Sequence, residues 1–290
     1  MKLVQFFLPG KGLRVGLVRN DLVLDITAAD EAVTSTLDLV RTGKTTAGTV
    51  ARAEWLGRRL RRKSVPYRDL YRTPSRRAAH LLLPILPPEI WTLVPQRPTA
   101  LLGDPAQRPQ YFFKGTAARA VGPEAHARLR ADATDTVAHP ALAGILGDQN
   151  EVVAFSIATD LTARDVASRG PGFLAQATVY GGSCALGPCL VTADEFRERA
   201  TFQMRYRILR QGAEACVAAF GLSDGCARIQ QAAPWLRADD GIRAGTVLLA
   251  PIEIGVPSTQ GVRDGDRVEV EMEGIGRLAH GVKHGLPVRD

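Results

Sequence analysis

Several acidic, basic and nucleophilic side chains stand at spacings that invite a chemical reading, and simple pattern tests remove most of them. Thr42-Gly43-Lys44-Thr45 ends like a phosphate loop, in which the lysine and backbone amides would cradle phosphates, but the earlier glycine of that motif is here Asp38. Glu269, Glu271 and Glu273 could attract a divalent cation as a cluster. They alternate with Val268, Val270 and Met272, however, so a strand turns the apolar set inward and the carboxylates out to solvent. Cys184, Cys189, Cys216 and Cys226 lack the paired short spacings of a zinc site and read as reduced, packed thiols. Ser183 has no nucleophile-elbow pattern around it and no partner histidine at a recognisable offset, so it reads as a turn or cap residue. Asp160, with Arg164 and Asp165 close behind, carries no motif of its own. A carboxylate beside a guanidinium can bind a ligand or simply hold a turn, and the spacing leaves both open.

The elements that must position these groups follow from periodicity. Leu3 to Phe7, Arg14 to Val18 and Val23 to Ile26, separated by Pro9-Gly10 and Asn20-Asp21 turns, predict a small antiparallel meander. Thr36 to Thr42 and Thr49 to Arg62 carry apolar residues at helical spacing. Prolines at 66, 84, 87 and 88 then interrupt any continuation, because proline lacks the amide donor. A boundary near residue 86 therefore divides the chain into residues 1–86, a small α+β unit, and residues 87–290. The second part is expected to be mostly β, with strands at Glu151 to Ile157, Val179 to Tyr180, Cys189 to Thr192, Phe202 to Leu209, Thr246 to Ala250 and Arg267 to Glu273.

Bulk properties narrow the function classes. The 290 residues, 45% of them hydrophobic, suffice for one large core and a smaller one. A net charge of +7 could favour nucleic acid. The densest basic run, Arg58, Arg59, Arg61, Arg62 and Lys63, has no interleaved aromatics and reads as the solvated outer face of a helix. No apolar run approaches the ~20 residues that cross a bilayer, and the first ten residues are too short and too soon interrupted for a signal peptide. The expectation is a cytoplasmic protein acting on a small molecule, with no nucleic-acid or membrane partner.

Five segments in order along the chain then carry a resemblance. They are Pro88-Glu89-Ile90-Trp91, the run from Arg108 to Lys114 through Tyr111-Phe112-Phe113, Thr159-Asp160-Leu161-Thr162-Ala163-Arg164-Asp165, the run from Gln176 to Pro188, and the run from Asp264 to Gly276. Together they resemble the fumarylacetoacetate hydrolase family, nearest its branch of dehydratase-like proteins acting on 2-keto-3-deoxy sugar acids. The resemblance implies an α+β fold, with a mixed β-sheet roll as catalytic domain behind a small N-terminal α+β domain, and a homodimer.

In that family a Glu-x-Glu pair and a following Asp hold magnesium or manganese, a hard cation that chelates the substrate's carbonyl oxygens and stabilises an enolate. Here the Asp is Asp160, while the pair aligns with His139-Pro140-Ala141. The lysine expected after Gln-Ala is Thr178, and the Thr-Gly-Thr that closes over the substrate carboxylate is Ala250-Pro251-Ile252. The resemblance therefore implies a degenerate metal site with no resident cofactor. His139 offers a base that titrates near neutrality, or a histidine in a loop without function. Lys114, which the family directs toward its pocket, offers positive charge to an enolate, or an ion pair with Asp160 or Asp165. Arg164, Asp165, Gln176 and Tyr180 are the candidate substrate contacts.

The reading favoured is an enzyme of specialised metabolism acting on an enolisable carbonyl compound through metal-independent lyase, isomerase or ring-forming chemistry, with Lys114, His139 and Asp160 as the catalytic set. The alternatives are a non-catalytic ligand-binding or partner subunit, and a metal-dependent hydrolase or dehydratase whose ligands come from Glu124, Asp132, Asp135, Asp148 or Glu151.

Overall fold

A computed structural model describes residues 1–60, 64–95, 108–148, 151–197, 203–221, 223–238, 241–255 and 261–285. The meander forms as its periodicity predicts, from β1 (Lys2–Leu8), β2 (Gly12–Arg19) and β3 (Leu22–Asp25). Asn20 and Asp21 both take positive φ in the tight turn between β2 and β3, the conformation that these two residue types tolerate. Helix α1 (Thr36–Gly43) starts at a capping box in which Ser35 and Asp38 satisfy each other's backbone amides. Helix α2 (Thr46–Arg58) begins earlier than its apolar spacing suggests because the Thr45 side chain caps it, accepting from the Gly48 amide. On α2, Leu56 is buried while Trp55 stands 49% exposed under the guanidinium groups of Arg52 and Arg59. Arg61, Arg62 and Lys63 lie outside the described residues.

After short strands β4 (Ser64–Pro66) and β5 (His80–Leu81), the chain forms β6 (Ile90–Leu93), β7 (Tyr111–Gly115), β8 (Ala120–Val121) and β9 (His126–Leu129). Two long strands follow, β10 (Thr136–Leu146) and β11 (Val152–Ala163), then helices α3 (Arg164–Ala167) and α4 (Leu174–Thr178), and β12 (Cys184–Thr192). The rest is α5 (Ala193–Arg197), the hairpin β13 (Gln203–Arg210) and β14 (Ala213–Gly221), α6 (Ser223–Arg237), β15 (Val247–Pro251), β16 (Arg267–Met272) and β17 (Gly276–His284).

The fold is α+β and consists of two sheets. The larger runs β4-β3-β2-β1-β12-β11-β10-β15-β6-β7, so the N-terminal meander continues through the β1–β12 pairing into the strands that carry the candidate site. The smaller runs β14-β13-β16-β17-β9. Every residue of β10 and β12 is buried, as a strand covered on both faces must be. One apolar cluster joins the smaller sheet to one face of the larger, through Met204, Tyr206, Val268, Val270 and Leu278 against Leu142, Phe155 and Ile157. A second packs α1 and α2 against the other face through Leu39, Val40 and Leu56 with Ala143, Ala158 and Leu186.

Three expectations are corrected. Val179 and Tyr180 are not a strand: Val179 is the C-cap of α4 and Tyr180 begins the turn into β12. Glu269 does not face solvent. It is 4% exposed and accepts from Arg207 at 2.6 Å and Arg267 at 2.9 Å, with Arg277 at 3.4 Å, whereas Glu271 and Glu273 are exposed as expected. His139 is not in a loop but inside β10, 8% exposed.

Candidate active site

Asp160 sits near the end of β11, opposite His139 of β10 on one side and Cys184 of β12 on the other. Directly opposed residues of antiparallel strands project from the same face, so imidazole, carboxylate and thiol form a row across three strands. The sheet curls enough for its far end to touch this row. From β6, Thr92 Oγ1 donates to Asp160 Oδ2 at 2.7 Å. From β7, Lys114 Nζ reaches Asp160 Oδ1 at 2.5 Å and donates to the carbonyls of Leu161 (3.1 Å) and Thr178 (2.5 Å). Two of the three ammonium hydrogens have carbonyl acceptors, whereas the contact with Asp160 Oδ1 is an ion pair that leaves this buried oxygen without a hydrogen bond. Of the two expectations for Lys114, the geometry shows the ion pair with Asp160; both side chains are 3% exposed or less.

His139 Nδ1 lies 3.2 Å from the Ile252 carbonyl. A carbonyl only accepts, so in this contact Nδ1 carries the hydrogen and Nε2 keeps its lone pair. Burial pushes the His139 pKa below the ordinary histidine value and outweighs the opposite pull of Asp160, so the imidazole is a neutral base at pH 7. The Tyr180 hydroxyl is buried without a hydrogen-bond partner. Burial, and then the charge of Asp160, push its pKa far up while Arg130 opposes them, so it stays a phenol able to donate. Burial also raises the Cys184 thiol to about 12, which leaves it protonated and inert.

The other candidates are engaged elsewhere. Arg164 donates to Asp135 at 2.7 Å, and Asp165 accepts from the Thr134 amide and hydroxyl at 2.8 and 3.0 Å, so the two residues fasten α3 to the segment before β10. Gln176 is exposed on α4, and its carbonyl accepts from Arg130. Ser183 takes part in the turn, its hydroxyl accepting from the Tyr180 amide. Thr92 and the Ile252 carbonyl escaped the sequence reading. A threonine in an apolar strand and a backbone oxygen carry no motif of their own.

A hard divalent cation does not fit this donor set. The positions where the resemblance expects two carboxylates hold His139 and Ala141, and Asp160 Oδ2 accepts from Thr92 while Oδ1, without a hydrogen bond, faces the ammonium of Lys114. Glu124 pairs with Arg267, Asp132 with Arg130 and Asp135 with Arg164, while Glu151 accepts from Thr46. Among the described residues no three His, Cys, Asp or Glu side chains converge to hold a metal ion.

Comparison with known proteins decides the family. The profile described as fumarylacetoacetate (FAA) hydrolase C-terminal matches residues 103–283. The chain belongs to the fumarylacetoacetate hydrolase family. Among relatives of this family member, 2-dehydro-3-deoxy-D-arabinonate dehydratase of Saccharolobus solfataricus is 28% identical over 248 residues, 79% of this chain and 83% of that protein. A probable 2-keto-3-deoxyxylonate dehydratase of Haloferax volcanii is 28% identical over 177 residues, 61% of each chain. Among solved structures, a hexagonal crystal form of 2-keto-3-deoxyarabinonate dehydratase aligns with TM-score 0.80 at 25% identity, over 98% of this chain and 99% of the other. A 2-keto-3-deoxy-D-arabinonate dehydratase complexed with magnesium and 2,5-dioxopentanoate shares the fold with the same TM-score at 24% identity, over 98% and 99% of the two chains. No helix among the described residues is long and apolar enough to cross a membrane.

Proposed function

We propose that this family member abstracts a proton next to the carbonyl of a small keto acid without a metal ion. The observation that carries the reading is a neutral, buried His139 with a free Nε2, in register with a carboxylate whose counter-charge is the side chain of Lys114. His139 Nε2 takes the proton, the C–H electron pair becomes a carbon–carbon double bond, and the ketone oxygen becomes an enolate. Tyr180 donates its unused O–H to that oxygen, and Lys114, ion-paired to Asp160 and donating to two carbonyls, acts on it through space. Imidazolium then returns the proton. Given to a hydroxyl leaving the β-carbon it makes water, a lyase outcome; given to another carbon it makes an isomer; attack by the enolate carbon on an internal electrophile closes a ring. The dehydratases among the relatives favour the first.

The test is proton exchange, which needs no knowledge of the natural substrate. Deuterium uptake beside the ketone of 2-oxobutyrate and of 2-keto-3-deoxyarabinonate is followed by NMR in D2O, with EDTA or with magnesium or manganese. Uptake in EDTA that is lost in His139→Asn is the expected result. Uptake that requires added metal, or that survives His139→Asn, sinks the proposal and restores metal-dependent family chemistry; no uptake from either acid points to a binding subunit.

A further inference from the structure

Two strand ends carry the groups that orient the candidate catalytic pair. Thr92 of β6 donates to Asp160, and the Ile252 carbonyl, one residue beyond β15, holds His139 Nδ1. The two strands are parallel neighbours, paired from Val247 with Ile90 to Leu249 with Thr92. Two residues further the same register sets Pro251 beside Val94, where proline has no amide hydrogen to offer. The ladder between them therefore ends next to the site.

Arg228 spans that gap. It comes from α6, is 8% exposed, and donates from one Nη to the Pro251 carbonyl at 2.8 Å and from the other to the Val94 carbonyl at 2.7 Å. The rigid fork of a guanidinium suits two acceptors on separate strands. Its consequence for His139 follows from peptide planarity. The planar unit joining Pro251 to Ile252 is held at its oxygen by Arg228 and at its N–H, which donates to the Pro140 carbonyl at 2.9 Å. The next carbonyl along the chain is that of Ile252, the one that faces His139 Nδ1. On the other strand the Val94 amide donates to Gln110 at 3.1 Å, which extends the tie toward β7 and Lys114.

We infer that Arg228 is a positioning residue: by fastening the ends of β15 and β6 it aims the Ile252 carbonyl at His139 Nδ1 and so keeps Nε2 free to act as the base. This rests on the proposed function and deepens it, because the tautomer of the base is then set from a helix outside the row of site residues.

Nitrogen-15 NMR of the full chain reads the His139 tautomer without any substrate, its signals being those lost in His139→Asn. In the unaltered protein Nδ1 should carry the hydrogen. Arg228→Ala should give a mixture of both tautomers. It should also lower kcat for deuterium uptake into 2-oxobutyrate by roughly ten- to a hundredfold with KM changed by less than about twofold, because a misaimed base costs rate and not binding. Arg228→Lys, which keeps the charge but not the fork, should fall between. Ile229→Ala, which trims the neighbouring side chain of α6 where it packs over Gly144, should lower the melting temperature and leave the tautomer alone. An unchanged tautomer in Arg228→Ala, or in Arg228→Lys where the alanine variant does not fold, overturns the inference. So does an equal mixture in Ile229→Ala, which would make the effect one of general loosening. A shifted tautomer in a protein that exchanges no deuterium upholds the role of Arg228 and overturns the proposed reaction alone.

Discussion

Lys114→Met is the perturbation with the largest calculable effect. The Lys114 Nζ to Asp160 Oδ1 separation of 2.5 Å corresponds to a gross attraction of about 7 kcal/mol at an effective dielectric constant of ~20. Much of that offsets the desolvation of two charges buried to 3% exposure or less, so the pair is not worth its Coulomb energy. Removing one partner is another matter. Lys114→Met leaves Asp160 as a buried carboxylate held by Thr92 alone and strips a donor from the Leu161 and Thr178 carbonyls. The expected loss is about 3–5 kcal/mol, read as a lower urea midpoint at unchanged slope, with a melting temperature lower by on the order of 10 °C. Asp160→Asn should cost a similar amount by leaving the ammonium unpaired. In the double variant no charge is stranded, so its loss should fall short of the sum of the singles by about 2 kcal/mol or more. A Lys114→Met loss below about 1 kcal/mol, or strict additivity, would refute the buried pair and return Asp160 to the pool of free carboxylates available to a metal.

Two further outcomes concern stability. His280 is fully buried, donates from Nδ1 to the Gly281 carbonyl, accepts at Nε2 from Thr159, and is pushed by burial down to about 4. The unfolded chain takes up a proton below about 6.5 and the folded chain does not, so stability should be flat above that pH and fall as pH drops toward 4, by about 3 kcal/mol from this residue. His139 adds to the fall with the same sign. Urea midpoints at pH 7.5 and pH 5 measure it, and His280→Gln should flatten the difference. Glu269→Ala, which takes the shared carboxylate from Arg277 and leaves Arg207 with Glu214 and Arg267 with Glu124, should cost about 2 kcal/mol by the same denaturation assay.

The elements that proved legible in sequence are those marked by turns or by helical spacing. The Pro9-Gly10 and Asn20-Asp21 turns bound the meander although Leu3 to Phe6 are buried on both faces, α1 shows in its apolar spacing, and β16 alternates except at Glu269, which the fold buries. β10 gave no such signal. Thr136 to Leu146 is buried throughout, so its side chains show no alternation, and Pro140 reads as a strand breaker. In the structure the Pro140 carbonyl accepts from Ile252, just past the end of β15, so its missing amide hydrogen also falls beyond that strand. Val179-Tyr180 misled in the opposite way, two strand-favouring residues placed in a turn by the glycines that follow. Among the site residues, Lys114, His139 and Asp160 were named through resemblance, and the structure adds their order across the sheet. The links from Arg164 to Asp135 and from Asp165 to Thr134 depend on a long-range approach of α3 to the strand before it, which no local pattern encodes.

An ion taken from solution occupies its site by mass action, and its occupancy follows the supply. The ammonium of Lys114 arrives on the chain itself, held by two carbonyls and paired with the Asp160 carboxylate, and is present in every folded molecule whatever the surrounding magnesium. Such a charge cannot be chelated away or exchanged for another metal. Nor can it open a coordination position to a substrate oxygen, so on the proposed metal-free reading the pocket works with hydrogen-bond donors and one imidazole.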